Sequence, residues 1–272
     1  MANPGNNERE GSGWKSSKVI DGIRTVHCSS WNGFSSFIHE QLTNFESYVF
    51  RGHASTSWKL EPTIDRVRDE NGKPLIDAEK HLHKFKYASR GRRGQSPNIV
   101  MDDNEWWALG QHHGLYTPLL DWSESPFVAS YFAFLLDDIE FDEQVVVYAL
   151  SRNGCDRKNR ELKTNSPKNA STKINTLDFI RPLTDENPRL INQRGLFTRV
   201  PSQTTIDEWI ISNFKDSSTV GAPLLKIYIP AYERISALKS LNRMNVNHLS
   251  LFPDLDGASK YCNTSAIISQ YG

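Results

Sequence analysis

The apolar positions of the chain follow two rhythms. Trp31, Phe34, Phe37, Ile38 and Leu42 recur at helical intervals behind Ser30, which stands where an N-cap would, so a helix is expected there. SYVFRGH is short and β-prone, and a strand is expected whose last side chain is Arg51. Gly52 after it lets the backbone leave the sheet sharply or lets a ligand come close. DENGK (69–73) reads as a turn, 78–88 and 104–113 as helices, TPLLDW as a strand, and SPFVASYFAFLL as an apolar helix opened by Ser and Pro. QVVVYAL carries a β-branched Val run and, past Gln144, no charged or amide side chain, the mark of a strand buried on both faces. INQRGLFTRVP predicts a strand through Leu196, Phe197 and Val200, followed by a helix in IDEWIISNF, a strand in LLKIYIP and a helix in YERISALKSLNRM.

Two segments lack any such rhythm. The first 17 residues, MANPGNNEREGSGWKSS, are polar and rich in Gly and Asn, which predicts a disordered tail. The run SRNGCDRKNRELKTNSPKNAS (151–171) is basic and nearly free of apolar residues, which predicts a long exposed loop. No repeat or linker divides residues 18–272, so they are expected to form a single mixed α/β domain of the α+β type. Strands and helices do not alternate regularly, and no Gly-rich phosphate fingerprint follows a strand; both argue against a doubly wound or P-loop fold.

With 272 residues, 38% hydrophobic, and a mean hydropathy of -0.55, the chain has material for a sizeable core. Thirty-two Lys plus Arg balance 32 Asp plus Glu, so no net field draws it to nucleic acid or to an anionic membrane, and such attraction must come from a local patch. The strongest patch is Lys84, Lys86, Arg90, Arg92 and Arg93 around Tyr87, which reads equally as a solvated helix end or as a phosphate-backbone contact. Cys28, Cys155 and Cys262 are far apart and form no CxxC, which fits a reducing cytoplasmic setting and suggests no cysteine zinc site. No run is apolar enough for a signal core or a bilayer span, so no membrane role is expected.

Candidate chemistry gathers in QHHGLYTPLLDWSESPFVASYFAF, from Gln111 to Phe134. Ser123 or Ser125 can cap the helix that follows. His112 and His113 lack the spacing of a metal pair. Asp121 lies in an apolar strand and requires a partner, for which Arg51 is the candidate. In LFPDLDG, Asp254 and Asp256 fit either an ordinary turn or a pair of carboxylates; an aspartate-metal hydrolase would need a third acid, and none is evident.

Taken in order, YVFRGH with SWKLEPTIDR, then QHHGLYTPLLDWSESPFVASYFA, NQRGLFT and LFPDLDG resemble the successive motifs of the FRG domain family, named for a Phe-Arg-Gly signature that here is Phe50, Arg51 and Gly52. A weaker resemblance links the pattern to the ADP-ribosyltransferase fold, which implies a split sheet flanked by helices, with NAD as co-substrate and no metal. By that resemblance Arg51 holds the phosphate and ribose side of NAD, and LLDWSESPFVASYFA supplies the serine motif through Ser123 and the helix ending through Phe132 and Ala133. The strand that should carry Glu-x-Glu is most like INQRGLFT, where Gln193 stands; Gln193, Asp254 or Asp256 would have to substitute, or the chemistry is altered. Asp121 joins Arg51, Gln193 and Asp254 as a catalytic candidate. Gly52, His112, Tyr116, Trp122 and Ser123 are candidate NAD contacts, with Trp122 or Tyr116 stacking on a ring. Enzymes of that fold modify proteins, nucleic acids or small molecules; the basic segments favour RNA or single-stranded DNA, in a bacterial toxin or phage-defence setting with a protein antitoxin as partner. A non-catalytic module that binds nucleotide or nucleic acid is the competing expectation.

Overall fold

In a computed structural model, residues 7–45, 47–93, 100–135, 143–166, 174–182, 188–215 and 221–271 are described. They build one mixed α/β domain around a nine-stranded sheet in the order β1-β2-β3-β9-β6-β4-β5-β8-β7. The strands are β1 (Arg9–Gly11), β2 (Trp14–Ser16), β3 (Ile23–Cys28), β4 (Tyr48–His53), β5 (Leu119–Ser123), β6 (Gln144–Ser151), β7 (Asp178–Ile180), β8 (Gly195–Arg199) and β9 (Leu224–Pro230). Every pairing is antiparallel except β3 with β9. The helices are α1 (Trp31–Phe37), α2 (Thr63–Arg66), α3 (Ala78–Ala88), α4 (Asp103–His112), α5 (Pro126–Phe134), α6 (Arg152–Asn165), α7 (Pro188–Asn192), α8 (Ile206–Phe214), α9 (Arg234–Arg243), α10 (His248–Leu251) and α11 (Leu255–Ile267).

The centre of the sheet is β6, and its sequence explains why. Val145, Val147 and Ala149 point into a core shared with α1, α5 and α9, while Val146, Tyr148 and Leu150 point into a second core shared with α8. A strand covered on both faces has no polar side to show. The helices begin where capping chemistry allows: Ser30 accepts from the Gly33 amide, Ser125 from Val128, and Asp102 forms a reciprocal capping box with Glu105.

Two polar segments are more ordered than their composition suggested. The tail expected over 1–17 holds β1 and β2, because Trp14 is an anchor: its ring packs edge-on to Phe37 at 5.0 Å and its indole N–H donates to Glu40 at 2.9 Å. Residues 1–6 lie outside the described residues. The loop expected over 151–171 is helical as far as Asn165. Ser151 caps it, and a narrow inward face of Cys155 and Asn159 suffices to dock it, Asn159 exchanging two hydrogen bonds with the Leu177 backbone at 2.7 and 3.1 Å. Residues 167–173 lie outside the described residues.

One pairing matters most for the site. β4 runs in continuous register with β6 from Tyr48↔Ser151 to His53↔Val146, but meets β5 only at Phe50↔Ser123. Beyond that pair the two strands part. Gly52 marks the place, since α5 crosses β4 there so closely that a Cβ on residue 52 would lie 1.9 Å from the Ala129 carbonyl oxygen.

Candidate functional site

The opening between β4 and β5 is a cavity of about 420 Å³. Arg51, Gly52, Asp121 and Ser123 come to it from the two strands, His112 from the end of α4, Phe132 from α5, and Arg189, Gln193 and Phe252 from the segments that close the far side.

Arg51 is fixed from both ends. Its Nε donates to His53 Nε2 at 2.9 Å, and its Nη1 donates to the Asp121 carbonyl at 2.7 Å. Burial lowers the Arg51 pKa, and the Asp121 charge works against that shift. His53 is buried, and desolvation first, then the Arg51 charge, pushes its pKa down to about 3. It is therefore a neutral acceptor that orients the guanidinium.

Asp121 corrects the expectation of a buried ion pair. Its carboxylate stands 3.6 Å from Arg51 Nη1, yet the side chain is 63% exposed against 19% for Arg51. Asp121 is the one carboxylate on the cavity wall among the described residues, and it faces the open space.

The other acid candidates are engaged elsewhere. Asp254 caps α11, accepting from the Gly257 amide at 2.9 Å, and accepts from Arg189 Nε at 3.0 Å. The Arg189 hydrogen bond holds its carboxyl below the usual carboxylate range. Asp254 is not on the cavity wall, while its partner Arg189 is. Asp256 pairs with Lys260 at 3.1 Å. Gln193 is on the wall, but its side-chain amide donates to the Leu251 carbonyl at 3.3 Å.

Of the proposed NAD contacts, His112 lines the cavity, and burial is the main cause of its lowered pKa, with the His113 and Arg189 charges adding to it. Ser123 lines it too, with its hydroxyl already used: it donates to the Gln193 carbonyl at 2.7 Å and accepts from the Ser125 amide at 3.0 Å. Gly52 serves the approach of α5, since the space its missing Cβ leaves is filled by Ala129. Trp122 is not a free stacking face, because its indole is buried in the second core and donates to Thr198 at 2.8 Å. Tyr116 is 51% exposed and lies outside the cavity wall. Of the aromatic residues that line the cavity, Phe50, Trp122 and Phe197 are buried, and the half-buried pair is Phe132 and Phe252, edge to face at 6.0 Å, with the Arg189 guanidinium 5.3 Å from the Phe252 ring centre. Phe252 belongs to the LFPDLDG motif, whose readable signal is its acids; Arg189, in α7, stands in no motif that the sequence offers.

The basic cluster lies at the other end of α4. Lys86 pairs with Asp103 at 2.6 Å, Arg93 stacks over Trp106 at 4.7 Å, and Arg90 over Tyr87 at 3.8 Å, while Lys84, Arg90 and Arg92 are exposed. Asp103 and His112 stand nine positions apart along α4, about 13.5 Å of axial rise. Among the described residues, no group of three His, Cys, Asp or Glu is placed to hold a metal ion, and no helix is long and apolar enough to cross a membrane.

No curated protein and no solved structure matches the chain. The stretch that carries β4, α4, β5 and α5, and with it Arg51, Gly52, Asp121 and Ser123, does match a family model: residues 46–140 match the FRG domain family.

Proposed function

We propose that the cleft between β4 and β5 performs NAD-dependent ADP-ribosyl transfer to a nucleic acid, with RNA favoured over single-stranded DNA. One observation carries this reading. A guanidinium locked by His53 and the Asp121 carbonyl stands beside a solvent-facing carboxylate, inside a cavity whose size suits a small-molecule site. Arg51 offers the fork geometry that grips a pyrophosphate, and Phe132 and Phe252 offer ring faces to a base or to nicotinamide.

Breaking the glycosidic bond develops positive charge on the ribose, and Asp121 is the carboxylate placed to oppose it. Nicotinamide leaves with the bonding pair, the acceptor forms the new bond to the same ribose carbon, and its proton goes to solvent. Asp121 thereby takes the role that the resemblance leaves to Gln193, Asp254 or Asp256. The exposed Lys84, Arg90 and Arg92 supply a phosphate-binding surface beyond the far end of α4. In this reading the cellular role is that of a cytoplasmic toxin or antiviral effector restrained by a protein antitoxin.

A second reading, a non-catalytic nucleotide-binding module, is favoured by the missing glutamate and by the prior engagement of Gln193 and Asp254. Incubation with NAD labelled in its adenylate part, in the presence of RNA, single-stranded DNA or cell extract, separates the two. Transfer should fall about 100-fold in Asp121→Asn. Equal transfer by that variant removes the proposed centre, and NAD binding without nicotinamide release selects the binding module.

A further inference from the structure

Transfer in the β4–β5 cavity releases a proton from the acceptor, and one group on the wall is suited to take it. Among the described residues, the titratable side chains that line the cavity are Arg51, His112, Asp121 and Arg189. The two arginines are cations that keep their protons, and Asp121 is assigned to the ribose. His112 remains, and imidazole is the side chain that exchanges a proton near neutral pH.

The setting of His112 separates it from the other polar groups of the wall. Gln111 accepts from the Thr117 hydroxyl, Gln193 donates to the Leu251 carbonyl, and Ser123 donates to the Gln193 carbonyl. His112 makes no hydrogen bond through either ring nitrogen among the described residues, and its half-buried ring meets that of His113 edge to face at 4.9 Å. It closes α4, where the carbonyl end of the helix favours a cation, so the position can receive a proton in passing. Burial first, then the charges of His113 beside it and of Arg189 from α7, lower its pKa, while Asp254 at the head of α11 acts in the opposite sense. At neutral pH the ring is therefore an unprotonated imidazole with a lone pair to offer.

We infer that His112 is the general base of the transfer and that the acceptor is a group with a proton to lose, a nucleobase N–H or a ribose hydroxyl rather than a terminal phosphate. The inference rests on the transfer reading of the same cavity. As the acceptor atom bonds to the ribose carbon, the bond to nicotinamide breaks with its electron pair on the departing ring nitrogen, and the acceptor's proton passes to the imidazole. The imidazolium then gives it up to solvent. A terminal phosphate is already an anion and gains nothing from a base.

Single-turnover transfer from labelled NAD by the full chain tests this, with total RNA as acceptor before and after phosphatase has removed its terminal phosphates. Label should reach both RNAs equally, and the rate should fall on the acid side with a midpoint below about pH 6.5. His112→Ala should lower the plateau rate about 100-fold, recover in part when imidazole is added to the buffer, and leave KM for NAD and the melting temperature of the free protein unchanged. His113→Ala, on an exposed side chain, removes one of the charges that hold the His112 pKa down; it should move the acid midpoint to higher pH at an unchanged plateau rate. No nicotinamide release by the wild type overturns the transfer reading and this inference with it. Turnover that His112→Ala retains at the wild-type rate and pH profile, or label confined to the untreated RNA, overturns this inference alone.

Discussion

Replacing Gly52 by Ala tests the geometry on which the cleft depends. A Cβ at this position would lie 1.9 Å from the Ala129 carbonyl oxygen and 2.8 Å from the Ala133 nitrogen. A carbon–oxygen contact settles at about 3.3 Å, so α5 must retreat from β4 by about 1.4 Å, and neither obstacle is a side chain that a rotamer change would move. Overpacking of a core costs about 1–3 kcal/mol, and a backbone obstacle places this substitution near about 3 kcal/mol. With a urea dependence of about 2 kcal/mol per M, the unfolding midpoint should fall by about 1.5 M. Gly72→Ala is the control for glycine loss of another kind. Gly72 has φ +78 and open space around it, so Ala there should cost about 1–2 kcal/mol through its left-handed backbone alone. A Gly52→Ala midpoint within about 0.3 M of wild type, or above that of Gly72→Ala, would refute the claim that α5 occupies the space of the missing Cβ.

Three further outcomes follow from the same contacts. His53 has a folded pKa of about 3 against about 6.5 when unfolded, so the unfolded chain takes up the proton first; stability should be level above about pH 6.5 and fall by up to about 1.4 kcal/mol per unit down to about pH 3. Urea titrations at pH 8 and pH 5 should show His53→Gln losing less over that interval than wild type, and an equal loss would place the titrating group elsewhere. The Asp254 pKa is depressed, so its contribution is present above the ordinary carboxylate pKa and lost as pH falls through the lower folded value; Arg189→Met should narrow the difference in melting temperature between pH 7 and pH 3, and an unchanged difference would count against the Arg189 contact. Ser123→Ala leaves the Gln193 carbonyl and the Ser125 amide without their partner and should cost about 1–3 kcal/mol by thermal unfolding, whereas a neutral result would mean the hydroxyl is free to contact a ligand.

How much of this was legible in the sequence depends on where each signal is stored. Strands such as QVVVYAL and helices such as α3 and α8 carry their periodicity in consecutive residues, and they form where that pattern predicted. The β1–β2 hairpin is held by one buried tryptophan in a polar run, and α6 by a two-residue inward face, so averaging over a window hides both. Arg51, His112 and Gln193 were readable as site candidates and do meet at one cavity. The free hydroxyl expected of Ser123 and the stacking face expected of Trp122 depended on which way a side chain turns and on what it already holds, which residue type does not disclose.

The choice among carboxylates shows the limit in physical terms. Within LLDWS the apolar neighbours of Asp121 argued for a buried charge, and in an unbroken sheet that argument would stand, since strand β4 would cover the position. Here β4 meets β5 only at Phe50↔Ser123, and past that pair the backbone of Asp121 is met instead by the Arg51 guanidinium. The same departure that removes the strand neighbour leaves the Asp121 side chain in the open cavity and brings a cation to its edge. Exposure of the acid and positioning of the Arg51 cation thus both accompany one missing set of strand pairings, beside the point where α5 is seated against β4 at Gly52.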